Sequence, residues 1–201
     1  MVEIELDASA VAKLTKALVG IKNGVPRVLA PAINRSLNHG RTVIKREIRK
    51  DYTIKAKDIP TIMRYATPVA LGGSITIKSG MLDLMKFRVR PRTPPNQKGV
   101  AVSSRRLVHA EVRIGKGGNL PHAFVARMPN AVVGVFTRVG KERLPIKRRL
   151  AIGAPIMASQ PHVQDAAGKA MQETLIKRIN SQVERLLSKR GTTKVRDIAR
   201  D

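Results

Sequence analysis

At 201 residues with 42% hydrophobic side chains, the chain can enclose one good core, and its 39 Lys and Arg against 14 Asp and Glu leave a formal net charge of +25. So large an imbalance repels itself unless counter-ions or an acidic partner face it, and nucleic acid is the commonest such partner, ahead of an acidic protein or a membrane surface. The lack of cysteine excludes disulfides, thiolate zinc sites and a Cys nucleophile, while five aromatic residues (Phe87, Phe124, Phe136, Tyr52 and Tyr65) are too few for base stacking to dominate.

No stretch approaches the roughly 18 apolar residues of a spanning helix, and the opening MVEIELD is acidic where a secretion signal is basic, so the expectation is a soluble protein made in the cytoplasm. Val2, Ile4 and Leu6 alternate with Glu3 and Glu5, the period of a half-buried strand. Asp7 is placed to cap a short helix through Leu18, with Val11, Leu14 and Leu18 on one face. Asn23-Gly24-Val25-Pro26 then punctuates the chain, and Pro26 suits the first turn of a second helix reaching Asp51. That helix buries Leu29, Ile33, Leu37, Ile44 and Ile48. Its other side carries Asn34, Asn38, Arg41, Lys45 and Arg49 as one mostly basic stripe, read either as a solvated face or as a surface for a partner.

From Pro60 the period changes to two. Ile75 and Ile77, Phe87 and Val89, and Val108 through Ile114 alternate with polar neighbours, and residues 123–128 and 132–139 continue in that style. The expected result is an antiparallel sheet, strongly bent or folded into a small sandwich. Residues 90–106, RPRTPPNQKGVAVSSRR, carry three prolines and no acid and read as a long exposed basic arm. From Asp83 to Arg149 there are 16 basic and 3 acidic residues, which makes this middle third the electrostatic centre of the chain. After Pro155, Val163, Ala167, Met171, Ile176, Ile179, Val183 and Leu186 mark a helix opened by Ser159 and Pro161 and running to about Lys189, with Gly191 as its stop. The fold class is therefore α+β: N-terminal helices, a central antiparallel sheet with a basic arm, and a long C-terminal helix. A single domain is expected over residues 1–190, helical over 7–51, β-rich over 60–150 and helical again over 160–189, followed by a tail at 191–201.

No catalytic constellation emerges. The stretch Gly134 to Arg149 superficially suggests a phosphate loop, but five residues separate Gly134 from Gly140, and Glu142 follows Lys141 where a magnesium-binding hydroxyl belongs. The four histidines, His39, His109, His122 and His162, lack the one-turn spacing of a helical metal site. The glycines of RIGKGGNLP, residues 113–121, are explained most simply as a hairpin turn, with an anion-binding nest as the other reading. Ser103-Ser104 lies in a basic loop without a nucleophile-elbow motif. No cofactor and no metal are implied. Zinc-finger spacing, an RNA-recognition signature and a basic heptad region are missing too, which leaves sequence-indifferent contact between Lys or Arg and phosphate.

Two stretches carry a resemblance. Ala32, Ile33, Asn34 and Arg35 begin a basic helix, and Ala123, Phe124, Arg138, Gly140, Lys141, Arg143, Pro145 and Ile146 form an Ala-Phe segment, a strand ending in Arg, a Gly-Lys turn and an Arg-x-Pro-Ile segment. In order and spacing they resemble the lambda-type prophage minor tail protein Z family. The resemblance implies a non-catalytic virion protein: a tail-completion or neck component at the head-proximal end of the tail, joining head to tail. Such proteins commonly assemble as rings, often of six subunits, around the DNA channel. It further implies neighbouring neck and tail proteins and genomic DNA as partners, no membrane, and residence in the virion after assembly in the host cytoplasm. A free, sequence-independent nucleic-acid-binding protein is the alternative, and an enzyme acting on nucleic acid is the third reading. Under the first, Arg41, Lys45, Arg49, Arg88, Arg90, Arg92, Lys98, Arg105 and Arg106 are expected to face DNA or an acidic neighbour.

Overall fold

The computed structural model describes residues 2–4, 23–94, 107–129 and 131–198, with side chains through Ser188 for all but the first three. The expected helix over 7–18 lies outside the described residues, as does most of the arm at 90–106. The chain separates into two compact units, one made of residues 1–44, 61–76 and 161–201 and the other of residues 45–60 and 77–160.

In the first unit, β1 (Val2–Ile4) and β2 (Ile62–Arg64) flank β3 (Gly73–Thr76) in a three-stranded antiparallel sheet, with Val2 opposite Ile75 and Met63 opposite the same residue. Helix α1 spans Gly24–Asp51, the bounds its punctuation predicts, and the division between the units falls within it after Ile44. Buried positions recur in pairs along it: Ala32 and Ile33, Ser36 and Leu37, Val43 and Ile44, Glu47 and Ile48. This is the wide apolar stripe of a helix packed on a core rather than on a narrow seam. The five apolar residues expected inside, Leu29, Ile33, Leu37, Ile44 and Ile48, are all buried.

A long helix, Pro161–Ile198, is α3, and its first half buries Val163, Ala167, Met171 and Leu175 at a spacing of one turn. Small residues on α1 allow close approach. The Ser36 hydroxyl donates to the Met171 carbonyl at 2.5 Å, and a hydrogen bond of 2.6 Å joins His39 Nδ1 and Thr174 Oγ1. One expectation changes here. The helix runs on through Gly191 to Ile198, so glycine does not stop it; an isolated helical glycine costs only about 1 kcal/mol relative to alanine. Ile179 and Val183, two of the apolar residues that mark this helix in the sequence, are only half-buried.

Among its described residues the second unit contains three small antiparallel sheets, where the sequence suggested one antiparallel sheet, strongly bent or folded into a small sandwich. Strands β5 (Arg88–Arg90), β6 (Val108–Arg113) and β7 (Lys116–Leu120) form one; β8 (Ala123–Arg127), β9 (Val133–Arg138) and β10 (Ile146–Arg148) form the second; β4 (Leu82–Asp83) and β11 (Leu150–Ala151) form the third. A short helix, α2 (Ala154–Ala158), follows. Leu84, Val89, Val108, Ala110, Val125 and Val135 make an aliphatic core, as the scarcity of aromatics requires.

The glycine-rich segment forms the expected hairpin, with a shorter turn than its glycines suggest. Residues 116–120 are strand β7, and the turn is confined to Ile114 and Gly115, whose φ of +75° suits glycine. Gly117 sits opposite Glu111 and passes so close to His109 that a Cβ there would lie 2.7 Å from its Nε2. This glycine serves close packing of two strands rather than an anion.

Candidate partner-facing basic surface

The C-terminal end of α1 is fastened to the β5–β7 sheet. Thr53 N donates to Val112 O at 3.0 Å and Ile114 N donates to Asp51 O at 2.8 Å, so the chain leaving the helix joins the C-terminal end of β6. The Thr53 hydroxyl donates to Glu111 O at 2.5 Å and accepts from Arg88 N at 3.0 Å. Tyr52 is buried; its hydroxyl accepts from Arg113 Nη2 at 3.3 Å, while the guanidinium carbon lies 5.5 Å from the ring centroid.

Two buried carboxylates organise cations here. Glu111 accepts from Gly115 N and from Arg88 Nη1, both at 2.7 Å, and first the backbone donor, then Arg88, hold its pKa below the ordinary carboxylate value against the effect of burial. Glu47 lies 2.5 Å from Lys50 Nζ and 3.1 Å from Arg46 Nε, and the Lys50 hydrogen bond is the chief reason its pKa is lowered as well.

The expected basic residues divide accordingly. Arg88 is held by Glu111, and Arg92 Nη2 donates to the Phe87 carbonyl at 3.0 Å. Arg90 and Arg49 are exposed, whereas Arg41 and Lys45 are half-buried at the boundary of the α1 face. Lys98, Arg105 and Arg106 lie outside the described residues. Along α1, Arg27, Arg35, His39, Thr42, Arg46 and Arg49 form the exposed line, so of the expected polar stripe only Arg49 lies on it. Asn34 instead uses both ends of its amide on Ala66, donating to its carbonyl at 3.0 Å and accepting from its N–H at 2.8 Å. Asn38 donates to Asn34 O and accepts from the Tyr65 hydroxyl. These two asparagines therefore anchor a loop. A polar side chain on a helix looks the same in sequence whether it meets water or a backbone.

The clearest cationic surface is the β9–β10 hairpin. Val139 N donates to Pro145 O at 3.1 Å and closes its loop, and β10 is an edge of its sheet. Arg127, Arg138, Lys141, Arg143, Lys147 and Arg149 are exposed, and no ion pair among the described residues involves them. Arg148 is the exception, paired with Asp83. Val125 and Val135 face each other on the core side of this sheet. On the other side the Phe124 and Phe136 rings meet in a tilted arrangement with centroids 6.2 Å apart, and the Arg138 guanidinium carbon lies 5.8 Å from the Phe124 centroid.

Thus Phe124 and Arg138 of the second sequence motif meet in space. Gly140, Lys141, Arg143 and Pro145 are exposed in the hairpin loop, and Ile146 begins β10 opposite Arg138. In the first motif, Ala32 and Ile33 are buried, Asn34 is tied to Ala66 and Arg35 is exposed. The motifs thus combine packing positions with a charged hairpin. Among the described residues no helix is long and apolar enough to cross a membrane, and no group of three or more His, Asp or Glu is placed to hold a metal ion.

A search of the curated proteins finds no match, and neither does a search of the solved structures. A family model does match, over residues 9–192, which takes in both sequence motifs, the basic hairpin and most of α3. The chain belongs to the prophage minor tail protein Z family and is a phage tail protein.

Proposed function

We propose that this protein is a non-catalytic tail-completion or neck component at the head-proximal end of the tail, where six copies close into a ring around the DNA channel and help join head to tail. Family membership over residues 9–192 is the observation that carries the reading. The charge of +25 and the exposed cations of the hairpin fit a channel lining, since phosphate contacts by Lys and Arg are indifferent to sequence and let DNA pass. Closed rings need surfaces that meet neighbouring copies and the rings above and below, so tail or head-connector proteins are the other partners. The protein resides in the virion and is made in the host cytoplasm before assembly.

Electron microscopy of isolated tails carrying a labelled copy tests the position, with label expected at the head-proximal end. Native mass spectrometry of the purified protein, alone and with tails, tests the ring. Label at the distal tip would overturn the neck position, and a monomer that coats DNA without entering tails would favour a free nucleic-acid-binding protein.

A further inference from the structure

Beside the basic hairpin the second unit exposes large apolar side chains in one place. Met81, Val139 and Leu150 are 73%, 67% and 47% exposed, and with Thr137, Lys147 and Arg149 they line an open concavity of about 360 Å³. The strand pairing brings them together. Lys147 sits opposite Thr137 in the β9–β10 ladder, Val139 continues beyond the end of β9, and Met81 immediately precedes β4, whose Asp83 pairs with Leu150. Arg148, between Lys147 and Arg149, is occupied by Asp83. Its two neighbours make no ion pair among the described residues.

We propose that this concavity docks an acidic segment of a neighbouring tail protein, which inserts an apolar side chain among Met81, Val139 and Leu150 while its carboxylates meet Lys147 and Arg149. The combination selects the occupant. Nucleic acid offers phosphates to the two cations but would leave the apolar floor against a polar backbone, whereas a protein interface places apolar anchors centrally and charges at the rim. A basic rim on a chain of net charge +25 selects an acidic protein by charge complementarity and speeds its association. The proposal names a contact surface for the assembly role above and rests on that reading.

A photo-reactive amino acid placed at Leu150 in assembled tails tests both, with the cross-linked peptide identified by mass spectrometry. The expected product joins Leu150 to a net-negative segment of another tail protein that contains a large apolar residue. A synthetic peptide of that segment should then bind the isolated protein. Val139→Ser combined with Leu150→Ser should weaken that binding by about tenfold or more, as expected for central anchors, and leave affinity for a short mixed-sequence DNA duplex unchanged. Lys147→Glu should weaken peptide binding too, and thermal melts confirm that the variants are folded. Cross-links to DNA, to a second copy of this chain or to a neutral or basic segment overturn the proposal. So does the absence of a cross-link in tails that contain the protein, or peptide binding untouched by the substitutions. Absence of the protein from tails overturns the assembly reading itself, and the docking proposal with it.

Discussion

Within the second unit, the junction of α1 with the β5–β7 sheet and the β9–β10 hairpin are both rich in arginine, yet the arginines have different employment. At the junction Arg88 is bound to Glu111, Arg113 covers Tyr52 and Arg92 caps a carbonyl. In the hairpin, Arg143, Lys147 and Arg149 are exposed without an ion pair among the described residues, and the nearby Arg148 alone meets a carboxylate. A basic stretch thus reveals little until its acids are located. Of the three acidic residues between Asp83 and Arg149, two are engaged internally, by Arg148 and Arg88, and these contacts distinguish cations with an internal carboxylate from those without one among the described residues.

The contrast can be broken most severely at the junction. Ile48 is fully buried, and Ile48→Ala should destabilise the protein by about 2–5 kcal/mol in urea unfolding. In the hairpin loop, replacing Lys141 and Arg143 together by Ser should weaken non-specific DNA binding and reduce the slope of log affinity against log salt by about 0.9 for each phosphate that is no longer neutralised. Surface substitutions of this kind should each alter stability by no more than about 0.5 kcal/mol. An unchanged salt slope would show that the hairpin does not meet phosphate. The paired Arg88→Ser should do the reverse, lowering the melting temperature with little effect on DNA binding.

The carboxylates supply a gentler test. Glu111 has a folded pKa below its ordinary value of 4.5, so its stabilisation is fully present above that value and is lost as pH falls through the folded pKa. Glu111→Gln should therefore be less stable than the parent at neutral pH, and the difference in melting temperature should shrink on acidification below the ordinary carboxylate value. A difference that persisted unchanged into strong acid would mean that the contacts of the ionised carboxylate with Gly115 N and Arg88 are not its source. Smallest of all, Val183→Ala in the half-buried second half of α3 should cost less than Ile33→Ala in α1, since little apolar surface is removed from water at the former.

Much of this organisation is legible in the sequence. The punctuation at Asn23 to Pro26 locates the start of α1, period-two alternation locates β5, β6, β8 and β9, and the family motifs at Ala32–Arg35 and Ala123–Ile146 point to a tail protein. These signals are local: capping, turn chemistry and hydrophobic period depend on residues a few positions apart. Strands β7, β10 and β11 are not legible there, because KGGNL, IKR and LA have no alternating apolar residues, and they are strands only because β6, β9 and β4 offer them backbone partners.

The candidate surface is legible in outline and not in detail. Sequence alone establishes a strongly basic chain, an aliphatic core, an α+β order of elements and a family resemblance, because composition and local periodicity carry those properties. Tertiary structure alone decides that Asn34 holds Ala66, that Arg88 belongs to Glu111, and that Met81, Val139 and Leu150 share one exposed concavity. The physical reason is distance along the chain. Whether a charge or an apolar side chain is satisfied depends on residues tens of positions away, and only the folded backbone brings them within contact.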